Sequence, residues 1–114
     1  MQPKRLRREA ATHEVRRSDS LWMTSAEQAA QHGRHADLVV LGVARPVRDS
    51  DKRVFAGLLL DGGRPVLMVP AGAPMSATCR HAVVAWKSSA EAARAVHDAL
   101  PLLRGAHSVD VLVV

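Results

Sequence analysis

The sequence has no tyrosine, one phenylalanine and two tryptophans in 114 residues. A core without many large rings is expected to consist of valine, leucine and alanine, which suits parallel strands buried beneath alanine-rich helices. The single cysteine, Cys79, excludes an internal disulfide and a cysteine-rich metal site. No apolar stretch is long enough to span a bilayer, so no membrane partner is expected.

The positive charge is concentrated at the start of the chain. The net charge is +5, and residues 1–20 hold six lysines and arginines against three acidic residues. No aromatic residues accompany this charge as a stacking platform, so residues 1–11 are interpreted as a flexible, solvated terminus and nucleic acid is not an expected partner. No apolar segment follows the basic residues, which excludes a secretory signal and predicts a cytoplasmic location.

Capping residues and apolar spacing predict the helices. Thr24 and Glu27 have capping-box spacing, which predicts a helix over 25–33 with Gly33 as its stop. A second helix is predicted within 51–63, ended by its glycine pair. A third begins with a capping box from Ser88 to Glu91, and Pro101 falls near its end.

Four near-continuous apolar runs are typical of buried strands. They alternate with the helices, which predicts a parallel α/β sheet. Weaker evidence, one valine among charged residues, predicts a short edge strand at 13–17. The apolar runs are 36–42, 64–70, 81–86 and 108–114.

The order and spacing of these runs resemble the universal stress protein family, particularly bacterial members with two domains in tandem. The residues that carry the resemblance are "HADLVVLG", "GGRPVLMVP" and "HAVVAWKSSAEAARAVHDALPLL". The resemblance implies that residues 12–69 are the C-terminal half of one domain, 70–79 a linker, and 80–114 the N-terminal part of a second domain. It also implies an open, mostly parallel five-stranded sheet of the adenine-nucleotide alpha-hydrolase-like (Rossmann-like) type, here incomplete or circularly permuted.

Nucleotide-binding members of that family carry a glycine-rich phosphate cradle after the fourth strand and an aspartate after the first. Here Gly42 matches the first glycine, but Arg45 replaces the second and Lys52-Arg53 replace the final Gly-Ser pair. Lys87 stands where the aspartate would be. The resemblance therefore implies a regulatory or scaffold module in the stress response that does not bind ATP in the usual way. Cys79 has no histidine or acid at motif spacing, and Asp37 and Asp98 are isolated carboxylates, so no enzymatic activity is expected.

An alternative function uses the same residues differently. Lys87, Ser88 and Ser89 precede a helix, where free amides favour an anion, and Arg45, Lys52 and Arg53 are expected at the same sheet edge. This edge could make the chain a nucleotide- or anion-binding sensor, with ATP or AMP as ligand. The competing interpretation is that the serines only cap the helix and the basic residues are solvated. The six histidines lack a complementary ligand set, so no metal is expected.

Self-association is expected because the last apolar run has no helix after it to cover it. The resemblance implies that residues 66–69 also pair across a dimer. Two arrangements remain open: a homo-oligomer or partner-completed sheet, and a closed permuted sheet within one chain. The closed sheet has the strand order 13–17, 109–114, 82–86, 38–41 and 65–69, and places Lys87 beside Gly42.

Overall fold

The computed structural model describes residues 14–17, 21–73 and 79–114. The chain consists of two units, each with a β–α–β arrangement, and the first unit has an additional helix before its first strand. The first unit, residues 24–70, holds α1 (Ser25–Gly33), β1 (Val39–Val43), α2 (Asp49–Gly57) and β2 (Val66–Pro70). The second unit, residues 80–114, holds β3 (His81–Trp86), α3 (Ala90–Arg104) and β4 (Ser108–Val113).

Helix α1 begins at the predicted capping box. The Thr24 hydroxyl accepts a hydrogen bond from the Glu27 amide at 3.2 Å, and the Glu27 carboxylate accepts one from the Thr24 amide at 2.8 Å. The helix ends at Gly33, as predicted. A Cβ at Gly33 would lie 3.1 Å from Leu58 Cδ2 and 3.2 Å from Val39 Cγ2, so glycine allows close packing here.

Helix α2 continues as a π-helical turn, Leu58–Gly62, and ends at the predicted glycine pair. Gly63 has φ +65°, a left-handed conformation that glycine adopts without steric cost. The turn carries Leu58, 3% exposed, towards Gly33. Among the described residues, the buried apolar side chains are those of Leu58, Ala30 and Val43. All three belong to the first unit.

The strands form two parallel pairs rather than one sheet. Strand β1 pairs with β2 from Val39 opposite Val66 to Val43 opposite Pro70. Strand β3 pairs with β4 from His81 opposite Ser108 to Trp86 opposite Val113. The α/β class and these two pairings were predicted correctly, but the five-stranded sheet is wrong because β1 and β3 lie in separate sheets. The ten residues 71–80 are shorter than the dozen or more that usually connect parallel strands.

The predicted edge strand at 13–17 is also not present. Residues 14–17 have no regular secondary structure, and His13 lies outside the described residues. Glu14 accepts a 2.8 Å hydrogen bond from Arg16, which lowers the pKa of the glutamate. With one valine among these exposed charges, the segment has no apolar face to bury in a sheet.

Helix α3 begins one residue later than its predicted cap. Ser89, not Ser88, is the N-cap and accepts from the Ala92 amide at 3.1 Å. Pro101 lies in the last turn, as predicted. None of the helices in the described part of the chain is long and apolar enough to cross a membrane.

Candidate functional site at the carboxyl ends of the strands

A shallow depression of about 530 Å³ lies where β1 and β2 end. Gly42 lines it, and a Cβ at Gly42 would meet no atom within 4 Å. Packing therefore does not require glycine here, and the space above the strand is open. The turn after β2 forms the other wall: the Ala71 amide donates to the Val43 carbonyl at 2.8 Å, and Gly72 has φ +78°.

The Asp51 carboxylate accepts hydrogen bonds from backbone amides at this edge. Its Oδ2 accepts from the Ala44 amide at 3.1 Å and from the Arg48 amide at 3.4 Å. Backbone amides after a parallel strand, next to a helix start, are the usual donors to a bound phosphate. Here the protein supplies its own anion to them, and a phosphate would meet a carboxylate.

The predicted basic residues near Gly42 are exposed and belong to different elements. Lys52 and Arg53 lie within α2 rather than in a cradle loop, and Lys52 Nζ is 3.7 Å from Asp49. Arg45 lies in the loop before the helix, joined to Pro46 by a cis peptide bond. Because Asp49 and Asp51 both lie in the first turn of α2, the positive end of the helix dipole already faces negative charge.

Lys87, Ser88 and Ser89 follow β3 at the carboxyl end of the other sheet. The Lys87 and Ser88 side chains are exposed, and the Ser89 hydroxyl accepts from the Ala92 amide. Ser89 thus acts as a helix cap, as the competing interpretation predicted. Glu91 adds a negative charge to the first turn of the helix.

The predicted site residues form two groups, not one. Gly42, Arg45, Lys52 and Arg53 belong to the first unit, and the group at 87–89 belongs to the second. The prediction that Lys87 lies beside Gly42 at a strand-order reversal is wrong, because the strands that end at these residues are not neighbours in a sheet.

Asp51 is a residue of the candidate site that sequence reasoning missed. It is the third residue of α2, the position from which an acidic side chain reaches back to the amide of the N-cap. In the sequence, an acidic residue three positions after Arg48 was the signal that could have predicted this helix start and the hydrogen bond to the Arg48 amide.

A second missed feature is a polar cluster at the amino ends of β3 and β4. His81 Nδ1 lies 2.6 Å from Ser108 Oγ, and His81 Nε2 lies 3.2 Å from Asp110 Oδ2. The strand register explains the cluster, since His81 lies opposite Ser108 and Asp110 follows on the same face. Alternation in "SVDV" places Ser108 and Asp110 together, but their contact with His81 depends on the pairing of distant strands.

The cluster resembles a serine–histidine–carboxylate arrangement only in its composition. The His81 and Asp110 side chains are 54% and 70% exposed, so water competes for every hydrogen bond. The nearby amides of His107 and Ser108 donate to the Arg80 carbonyl and are not free to stabilise an oxyanion. The contacts join the two strands of the second unit.

Within the described ranges, no group of three or more histidine, cysteine, aspartate or glutamate side chains is placed to hold a metal ion. The candidate site is therefore limited to the depression at Gly42, where the Ala44 and Arg48 amides donate to Asp51. Comparison of the chain with protein-family models, with curated proteins and with solved structures finds no match.

Proposed function

We propose that this chain is a universal-stress-protein-like regulatory or scaffold module that does not bind ATP in the usual way. The observation that carries the proposal is the position of Asp51. Its carboxylate lies 3.1 Å from the Ala44 amide, at the strand end where a nucleotide phosphate would need free donors. Binding a phosphate there would require two negative charges to share the same amides.

The residues that replace the family's nucleotide pattern support the same proposal. Arg45 and the Lys52-Arg53 pair replace small residues that let backbone approach a phosphate, and a glycine cradle loses that approach when side chains are added. Lys87 replaces the aspartate that the resemblance places near the ribose and base. A lysine cannot accept the hydrogen bonds that such an aspartate accepts.

Isothermal titration with ATP, ADP and AMP tests the proposal. We expect no saturable heat in the micromolar range for any of the three nucleotides. Asp51→Asn keeps an oxygen acceptor for the Ala44 and Arg48 amides while removing the charge. If the carboxylate is what excludes phosphate, this variant should bind inorganic phosphate or ATP more tightly than the wild type does.

Lys87→Ala separates this proposal from the anion-sensor alternative. Arg104→Ala is its matched control, because it removes one positive charge from the opposite end of α3. Micromolar binding of ATP by the wild type would overturn the proposal. Loss of that binding in Lys87→Ala but not in Arg104→Ala would favour the anion-sensor alternative, with Lys87 as one of its binding residues.

A further inference from the structure

We propose that two copies of this chain join through the free edges of β1 and β3, meaning the edges that no other described strand of the same copy pairs with. Each β1 then pairs with the β3 of the other copy. The product is a two-fold dimer with two four-stranded parallel sheets, each ordered β2–β1–β3–β4 across the two chains. This inference does not depend on the proposed function.

The first argument is that each sheet is too small by itself. Both contain two strands in the described part of the chain, and parallel strands are normally buried on both faces within larger sheets. Val40 of β1 is 61% exposed and Val83 of β3 is 59% exposed. These are central residues of apolar strands, and neither has a covering layer within one copy.

The second argument is that the four strand edges differ in character. Strand β2 follows Pro65 and ends in Pro70, and β4 carries Asp110 near its centre. Proline and charged residues are the devices by which proteins protect outer edges from pairing. Strands β1, "VVLGV", and β3, "HAVVAW", contain no proline, lysine, arginine or acidic residue, as is typical of interior strands.

The third argument concerns which copy supplies the partner strand. Within one chain, residues 71–80 would have to return from the end of β2 to the start of β3, past β1. Ten residues are fewer than parallel crossovers usually need, and within one copy of the chain β1 and β3 lie in separate sheets. A second copy satisfies both edges at once without that crossing, and two-fold symmetry leaves no β1 or β3 edge open.

Backbone hydrogen bonds identify the residues that face the free edges. The Val39 amide donates to Pro65, and the Val43 carbonyl accepts from Ala71, so alternate residues of β1 face β2. Val40, between them, presents its amide to the free edge. Likewise the carbonyls of Arg80 and Trp86 face β4, which places the Val83 amide at the free edge of β3.

Proline substitutions at these positions test the proposal, because each removes one free-edge donor and no bond of the existing ladder. Light scattering after size-exclusion chromatography, in reductant to keep Cys79 free, should give twice the 12.3 kDa monomer mass for the wild type. Val40→Pro and Val83→Pro should each weaken dimerisation about tenfold or more. The matched controls are Met68→Pro and Val111→Pro, whose amides face the outer edges of β2 and β4 by the same alternation. The family resemblance implies a dimer through residues 66–69 of β2, whereas this proposal makes the outer edge of β2 free of contacts, so Met68→Pro and Val111→Pro should both remain dimeric.

Mixing the two edge variants distinguishes a lost interface from a lost fold. A Val40→Pro chain keeps an intact β3, and a Val83→Pro chain keeps an intact β1, so their mixture can form one undamaged joined sheet. We expect the mixture to form dimers at a protein concentration at which each variant by itself is mostly monomeric. Three outcomes would overturn the proposal. The wild type could stay monomeric over a hundredfold range of concentration, Met68→Pro or Val111→Pro could dissociate the dimer while the edge variants do not, or the mixture could show no recovery of dimers.

Discussion

The two units of the molecule share a β–α–β plan but differ in what covers their strands. The first unit has two helices, a π-helical turn and all the buried apolar side chains of the described residues: Ala30, Val43 and Leu58. The second unit has one helix and no residue in the buried class, and every residue of β4 is exposed. The extra helix thus makes the difference between a unit with a small core and one without.

The difference shows how little local sequence decides about burial. "HAVVAW" is nearly as apolar as "VVLGV", yet of these two strands only β1, in the unit with two helices, contains a buried residue, Val43. A strand gains from its apolar residues only when a second layer removes them from water. The second unit therefore leaves more of its apolar strand surface in water than the first unit does.

The largest expected effect comes from the core of the first unit. Leu58→Ala would leave a cavity among Ala30, Gly33 and Val39, at a cost of about 2–4 kcal/mol in the free energy of unfolding. Urea denaturation measures the loss, and hydrogen exchange should place it in residues 24–70. Leu102→Ala, at a residue 46% exposed in the second unit, is the control and should cost less than about 1 kcal/mol. Equal losses would show that the two units do not differ in packing.

Two glycines, one where α2 passes into its π-helical turn and one at the end of α3, sharpen the same comparison. A Cβ at Gly57 would lie 3.1 Å from Ala26 Cβ and 3.2 Å from the Ala26 carbonyl oxygen, a backbone atom that cannot rotate away. Overpacking should outweigh the helix propensity that alanine adds, for a net loss of about 1–2 kcal/mol. Thermal denaturation measures this.

Gly105→Ala is the matched substitution at the end of α3. Its added Cβ would meet only backbone oxygens at 3.8 and 3.9 Å, which is ordinary contact. We expect no loss of stability, because φ at Gly105 is −85° and suits any residue. A loss as large as that of Gly57→Ala would mean that α3 packs more tightly than its exposure indicates.

Elements were predictable from sequence where local chemistry decides them. The Thr24–Glu27 capping box, the glycine pair at 62–63 and the bounds of β3 needed no distant contact. Sheet membership was not predictable, because β1 and β3 are separated by a linker whose path no local pattern specifies. The same limit applies to the site: Gly42 was found at a strand end, but the hydrogen bonds that the Ala44 and Arg48 amides donate to Asp51 depend on how α2 starts.

A smaller effect is expected at the N-cap of α3, which the sequence analysis expected at Ser88 and the structure places at Ser89. Ser89→Ala removes the acceptor for the Ala92 amide and should cost about 1 kcal/mol of stability. Ser88→Ala removes an exposed hydroxyl outside the helix and should cost close to nothing. Urea denaturation of both variants measures the change in the free energy of unfolding that each substitution causes. The reverse order of losses would restore the capping box predicted from Ser88 to Glu91.

The smallest expected effect is at the polar cluster of the second unit. Asp110→Asn keeps the size of the side chain and an oxygen near His81 Nε2, but removes the negative charge. Because both side chains are more than half exposed, water and salt screen the interaction, and the loss should stay below about 1 kcal/mol. Urea denaturation at low and high salt measures it, with Ser108→Ala as the companion that removes the 2.6 Å contact on the other ring nitrogen. A loss above about 2 kcal/mol in Asp110→Asn would mean that the cluster is shielded from water, and the second unit would then have a covered face that one copy of the chain does not provide.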